Sequence, residues 1–340
     1  MTRNQNEIDQ YLDDLITKAE RDIDRLFAKR LKELLFQLSE MYHKYSIDKE
    51  LTFTDLNKYN RFKKEMDLIA NMINQDYKQL LQDIQSLMET QYVENYLRST
   101  YVYEFEAQTT MGFGMPSAAI IRKAIENPIE LLTLPKILEG NRDDLVRRIS
   151  TDISQGLLAG EGYNDIANRI RKSTHFSAQK ARRVARTEGH RSQVQGRIDS
   201  ATRASKYTEL KKMWDGTLDS RTRIAHRKLD GTVVEFNGVF KSPAGGIGTA
   251  PGLMFNAADD INCRCSVVFL VNGKKPEVRR ARSEEDPIYQ KKLADRIEKY
   301  MSDGLTHKQA EKKAKKDVRP PSLVIPYQSY EEYYKNRITG

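Results

Sequence analysis

Only two of the 340 residues are cysteine, only one is tryptophan, and no stretch approaches the ~18 consecutive apolar residues of a membrane-spanning helix. Two thiols do not make a disulfide framework in a chain of this length, so folding rests on burial and helix packing, and a reducing compartment is expected. The opening MTRNQNEIDQYLDDL has no basic stretch followed by an apolar run, which excludes an ordinary signal peptide and leads us to expect a soluble intracellular product. Also missing are Gly-x-Ser-x-Gly, His-Glu-x-x-His and a Walker lysine loop, and with them the commonest sequence signs of a hydrolase.

Apolar residues are scarce as well, 39% against 31% charged, a balance suited to long solvent-bathed helices rather than to a sphere. The net charge of +9 is unevenly spread. Residues 1–110 carry 15 Lys and Arg against 20 Asp and Glu, which leaves the remainder of the chain strongly basic. The two parts should therefore meet different partners.

Ile8, Leu12, Leu15, Ala19, Ile23 and Leu26, continued by Leu31, Leu34, Leu38 and Met41, recur mostly at threes and fours, as one face of a long helix requires. A turn-like stretch at 46–52 separates it from a second run, Tyr59, Phe62, Met66, Ile69, Ile73, Tyr77, Leu80, Ile84 and Leu87, with Thr54 as a candidate N-cap. The spacing predicts an antiparallel helical hairpin over 1–110, whose apolar seam either packs on itself or docks on another protein. Gly112, Gly114, Pro116, Pro128 and Pro135 then mark 111–140 as a boundary.

Helical spacing returns from about Asn141 and breaks at Gly160 and Gly162. A short amphipathic helix, NDIANRIRK, follows, and then a basic one bearing Lys180, Arg182, Arg183, Arg186, Arg191, Arg197 and Arg203 against only Glu188 and Asp199. Such density suits the phosphates of double-stranded DNA, or a solvated helix face with some arginines paired internally. Beyond Tyr207, LKKMW, GTVVEFNGVF and CSVVFLV read as strands of a small antiparallel sheet, joined through an exposed loop at 241–251. The rest, 273–340, is basic, with a helix at HKQAEKKAKKD and a tail from Val318 expected to be extended and ordered only on docking. The fold class is α+β, mostly helical.

Chemistry is densest between Trp214 and Gly231 and at Asn262-Cys-Arg-Cys265. Asp219, His226 and Asp230 with the two thiols supply enough donor types for zinc. A C-x-C pair in a strand points both side chains to one face, a disulfide across it would be strained, and two buried structural thiols fit the composition most cheaply. Asp219, His226 and Asp230 also admit a metal-dependent nuclease or hydrolase.

Arg186 and Glu188 on the basic helix, Trp214, Asp219 and Arg221, His226, Asp230 and Gly231, and Asn262, Cys263, Arg264 and Cys265 together resemble the phage Mu protein F-like head morphogenesis family over about 141–272. The helical N-terminal part and basic tail look like minor head proteins of tailed phages of Gram-positive bacteria. The resemblance implies a low-copy structural protein of the capsid interior, assembled in the host cytoplasm, bound to the portal protein and to packaged DNA. A capsid or scaffold protein is a further implied partner, and influence on DNA ejection a further implied role. It implies no catalysis, no cofactor and no membrane. Where the family pattern offers Cys-x-x-Cys and His-Pro, this chain has Arg223-x-x-His226 and Asp260-Ile261. Cys263, Cys265 and His226 remain as candidate metal ligands.

Overall fold

In the computed structural model, which describes residues 5–46, 50–126 and 133–338, the apolar stripes of the first hundred residues close on one another. Helix α1 (Gln5–Tyr45) buries Ile8, Leu12, Ile16, Ile23, Phe27, Leu34, Leu38 and Met41, and α3 (Arg61–Ala107) buries Ile69, Ile73, Tyr77, Leu80, Ile84 and Leu87. They run antiparallel, as the pairs Arg30 with Asp76 and Gln91 with the Leu12 carbonyl require. Between them a short helix, α2 (Phe53–Asn57), is capped by Thr52, whose hydroxyl accepts from the Asp55 amide at 3.1 Å; the expected cap, Thr54, is the second residue of that helix. Residues 47–49 of the predicted turn lie outside the described residues.

The expected boundary at 111–140 does not separate two cores. Helix α4 (Ala118–Glu126) occupies part of it, and α5 (Leu134–Leu158) starts earlier than Asn141 because Pro135 sits in its first turn, where a missing N–H costs nothing. Pro128 lies outside the described residues. Where the sequence suggests two helices, a single α6 (Tyr163–Ala204) runs unbroken. Ile149 and Ile153 of α5 and Ile166 and Ile170 of α6 share one apolar core with the α1–α3 hairpin. The backbones of α3 and α6 approach so closely at Gly196 that a Cβ there would lie 2.3 Å from the Tyr92 carbonyl oxygen.

Beyond α6 the alternating runs form β1 (Leu210–Asp215), α7 (Ile224–Leu229), β2 (Val233–Glu235), β3 (Phe240–Lys241), β4 (Ile247–Gly248), α8 (Ala257–Asp260) and β5 (Ser266–Val271). The three-stranded sheet is antiparallel in the order β2-β1-β5, with Trp214 opposite Val267, and β3 pairs with β4. This sheet packs a second core of Trp214, Phe240, Leu253, Cys263, Cys265 and Val267 against Val194 and Ala201 of α6.

The tail departs most from expectation. Strand β6 (Val278–Arg282) leads into α9 (Pro287–Ser302) and α10 (His307–Asp317), after which β7 (Ser322–Pro326) returns antiparallel to β6 and α11 (Tyr330–Ile338) folds back. Val318 onward is thus docked on its own chain. Its anchor is Arg279, 1% exposed, whose guanidinium donates to Asp230, to the Gly216 carbonyl at 2.6 Å and to the Gln328 carbonyl at 2.7 Å. Among the described residues no helix is long and apolar enough to cross a membrane.

Candidate functional site

The motif residues of the basic helix and of the sheet meet where α6, β1, α7 and the approach to β5 converge. Arg264 clamps Asp219 with both terminal nitrogens, and Asp219 also accepts from the Arg221 amide at 3.0 Å and the Thr222 hydroxyl at 3.1 Å. Burial alone would raise the Asp219 carboxyl; the bond and charge of Arg264 outweigh it and hold the group below its ordinary range. Asp230 is engaged just as fully, by Arg279, the Gly216 amide at 2.7 Å and the Tyr330 amide at 2.7 Å. Gly231 takes φ +73° and returns its amide to the Trp214 carbonyl at 2.9 Å, a turn that favours glycine. Asn262, also left-handed, donates its amide to the Thr187 hydroxyl on α6. Asp219 and Asp230 are therefore joists of the fold, and the trio expected for a nuclease does not converge.

His226 lies elsewhere. Its Nδ1 is 3.7 Å from the Cys263 sulfur and 3.4 Å from the Cys265 sulfur, and its Nε2 is 3.1 Å from Asp259 Oδ1. All four side chains are buried, and the Trp214 ring packs edge-on against the imidazole at 5.2 Å between centroids. Burial opposes charging the imidazole, but Cys265 and Asp259 keep its pKa above the ordinary value. The two free thiols interact: Cys265 beside Cys263 is pushed well up, while Cys263 is lowered. Both side chains face one way, as the C-x-C spacing predicts. His190 on α6 is different in kind: burial depresses it to about 4, and its Nε2 sits 2.8 Å from the Cys265 carbonyl oxygen, so the ring is neutral and bridges α6 to the motif strand.

Three of the seven arginines and lysines expected to meet DNA are interior, which corrects the reading of that helix as one continuous phosphate-binding face. Arg186 forks onto Glu20 of α1 at 2.8 Å through two nitrogens, Arg191 pairs with Glu188 and donates to the Ile125 carbonyl, and Arg197, 1% exposed, joins Asp9, Asn95 and the Val267 carbonyl. The physical reason is that α6 lies at the centre of the helical core, where each cation needs an internal acceptor. Lys180 reaches Asp144 and Arg182 reaches Asp24, both half-buried; Arg183 and Arg203 are exposed. Arg203 lies over the Phe113 ring, at the far end of the helix.

Between α1, α6 and the α9–α10 hairpin opens a cleft of about 1210 Å³ whose lining includes His226, Cys263 and Cys265. Thirteen arginines and lysines line it against three carboxylates, Glu20, Asp24 and Asp317. Arg182 and Arg183 come from α6, Arg296 from α9, Lys313 and Lys316 from α10, and Arg221, Arg223 and Arg264 from the segments that flank α7 and precede β5. Arg21 and Arg183 are exposed and pair with no carboxylate among the described residues.

Residues 147–268 match the family model described as phage Mu protein F like protein. The minor head protein of Bacillus phage SPP1 is 51% identical over 280 residues, covering 82% of this chain and 91% of the relative. The chain belongs to the phage Mu protein F-like family. An NAD(+)–arginine ADP-ribosyltransferase of Enterococcus faecalis is 26% identical over 305 residues, and this chain spans 61% of that protein's length. No solved structure matches the chain.

Within this Mu F-like protein the matched stretch is only partly self-contained, since Arg186 and Arg197 take their carboxylates from α1. Sequence reasoning missed Asp259, which stands one residue before the motif and carries no signal until His226 is seen to face it. It also missed Arg21, Arg171 and Arg319 as lining of the cleft, because α1 reads as acidic on average and Arg319 falls in the tail.

Proposed function

We propose that this chain is a structural minor head protein acting in phage head morphogenesis, that it resides in the capsid interior, and that it holds DNA across the arginine cleft. The observation that carries the DNA contact is that two basic segments distant in sequence, around Arg183 and around Lys313, line one cleft whose lining holds only three carboxylates. Counterion release from phosphates is the expected driving force, without base readout. A catalytic role is not assigned, because Asp219 and Asp230 are each saturated by an arginine and backbone groups.

A separate surface suits a protein partner such as the portal, or a capsid or scaffold protein. Near the turn of the α1–α3 hairpin Phe36, Tyr59 and Leu68 are 65%, 80% and 52% exposed on an otherwise acidic segment. Aromatic and aliphatic side chains of this kind anchor interfaces. Assembly in the host cytoplasm and a part in DNA ejection follow from the same reading.

Gel retardation of unrelated duplexes at several salt concentrations tests the DNA contact. Retardation that is independent of sequence and falls steeply with salt is expected. Absence of retardation at low salt, with co-sedimentation of the portal retained, would favour an adaptor that never touches DNA.

A further inference from the structure

We propose that His226, Cys263 and Cys265 form a mononuclear zinc site with three protein ligands, its fourth position turned toward the arginine cleft and filled by water. Their three donor atoms all lie within 4.8 Å of one another, and the three side chains are each 2% exposed. Zinc bonds of about 2.3 Å to sulfur and 2.0 Å to nitrogen at tetrahedral angles place neighbouring donors roughly 3.5–3.8 Å apart. The observed sulfur-to-Nδ1 separations, 3.4 and 3.7 Å, fit that triangle.

The surroundings are those of a ligand set rather than of two thiols in a core. A metal-binding imidazole commonly gives its second nitrogen to a carboxylate, which fixes the tautomer and leaves the first lone pair for the ion. Asp259, wholly buried, takes that part through Nε2, and is itself held by the Ser242 hydroxyl at 2.6 Å and the Gly246 amide at 3.1 Å. Arg223 braces the same segment by donating to the Asp259 carbonyl at 2.9 Å and to the Ile261 carbonyl. Of the other acids near in sequence, Asp219 and Asp230 are occupied by Arg264 and Arg279, and Asp260 accepts from the Met254 and Asn256 amides, so none is free as a fourth ligand. With two thiolates and a neutral imidazole the site is soft, which selects zinc over magnesium or calcium. The ion would tie α7 to the approach of β5, joining two segments nearly forty residues apart in the wall of the cleft.

The test uses the full chain purified without chelator. About one zinc per chain is expected by mass spectrometry, and replacement with cobalt(II) should give the intense near-ultraviolet thiolate charge-transfer band and the visible bands of tetrahedral coordination. Cys263→Ser and His226→Ala should each lose the metal. Asp259→Asn keeps the ligands and should weaken zinc affinity by about 10- to 100-fold in a chelator competition. Because Cys263→Ser can unfold, the cobalt spectrum of the unmutated chain decides independently. A folded chain that takes up less than a tenth of an equivalent of zinc and shows no thiolate band with cobalt overturns the proposal. A full equivalent of zinc that Cys263→Ser and Cys265→Ser both retain while folded overturns it equally.

Discussion

Arg186 of α6 and Glu20 of α1 meet as a two-pronged ion pair at 2.8 Å, both residues less than a tenth exposed. A third residue, Arg319 from the tail, reaches the same carboxylate at 2.7 Å. Removing Arg186 leaves Glu20 with Arg319 as its remaining cation. Arg186→Ala should therefore cost about 1.5–3 kcal/mol, the loss of charged hydrogen bonds rather than of a whole ion pair, seen as a lower urea midpoint and not as altered DNA affinity of the folded fraction. An unchanged midpoint would show that the pair is not closed in solution.

Arg183 behaves oppositely. Arg183→Ala, with Arg21→Ala and Lys316→Ala, should leave the thermal midpoint within a degree or two while flattening the salt dependence of DNA binding, by about 0.9 in log–log slope for each phosphate no longer neutralised. Equal slopes for variant and parent would place the DNA elsewhere.

Burial holds the Asp215 carboxyl up at about 6, against an ordinary 3.8, although Arg279 lies 2.6 Å away. The folded state thus binds this proton more tightly than the unfolded chain. The contribution of Asp215 is full below about pH 4 and is lost as pH rises through about 6. Asp13 and Glu20, held low by Arg280, Arg282 and Arg186, work in the other direction, with stability lost as pH falls. Asp215→Asn should isolate the first effect. Relative to the parent it should gain about 1–3 kcal/mol between pH 4 and pH 8, measured by chemical denaturation. Arg279 keeps Asp230 as its partner in the variant.

Gly196→Ala would drive a methyl group to 2.3 Å from the Tyr92 carbonyl. Backbone cannot swing aside as a side chain does, so a loss of about 1–3 kcal/mol is expected, with α3 and α6 forced apart. Hydrogen exchange at Asn95 and Gln193, joined by a 2.6 Å bond, should quicken in the variant.

Much of this was legible in the residues themselves. Threes and fours fixed the α1 and α3 stripes because each helix buries one face, and the short apolar run CSVVFLV marked β5 because the strand packs into the core against α6. Charge was less transparent. Arg183 and Arg186 look alike in sequence, yet one is solvated and the other paired with a residue 166 positions away. Only the fold decides which arginine is which. Asp259 stayed hidden for the same reason, and the tail read as loose because β6 and β7 are short, nearly forty residues apart, and β6 is dominated by arginine.

The cleft is lined from segments far apart in the chain, residues 17–31 and 282–319 among them. Asn6 on α1 also donates to the Val278 carbonyl, and Asp13 receives both Arg280 and Arg282. During synthesis α1 must wait for nearly the whole polypeptide to leave the ribosome before its acidic residues find these arginines. A copy cut short before β6 would lack Arg282, Arg296, Lys313, Lys316 and Arg319, five of the thirteen cations that line the cleft, and would leave Asp13 without both of its arginines.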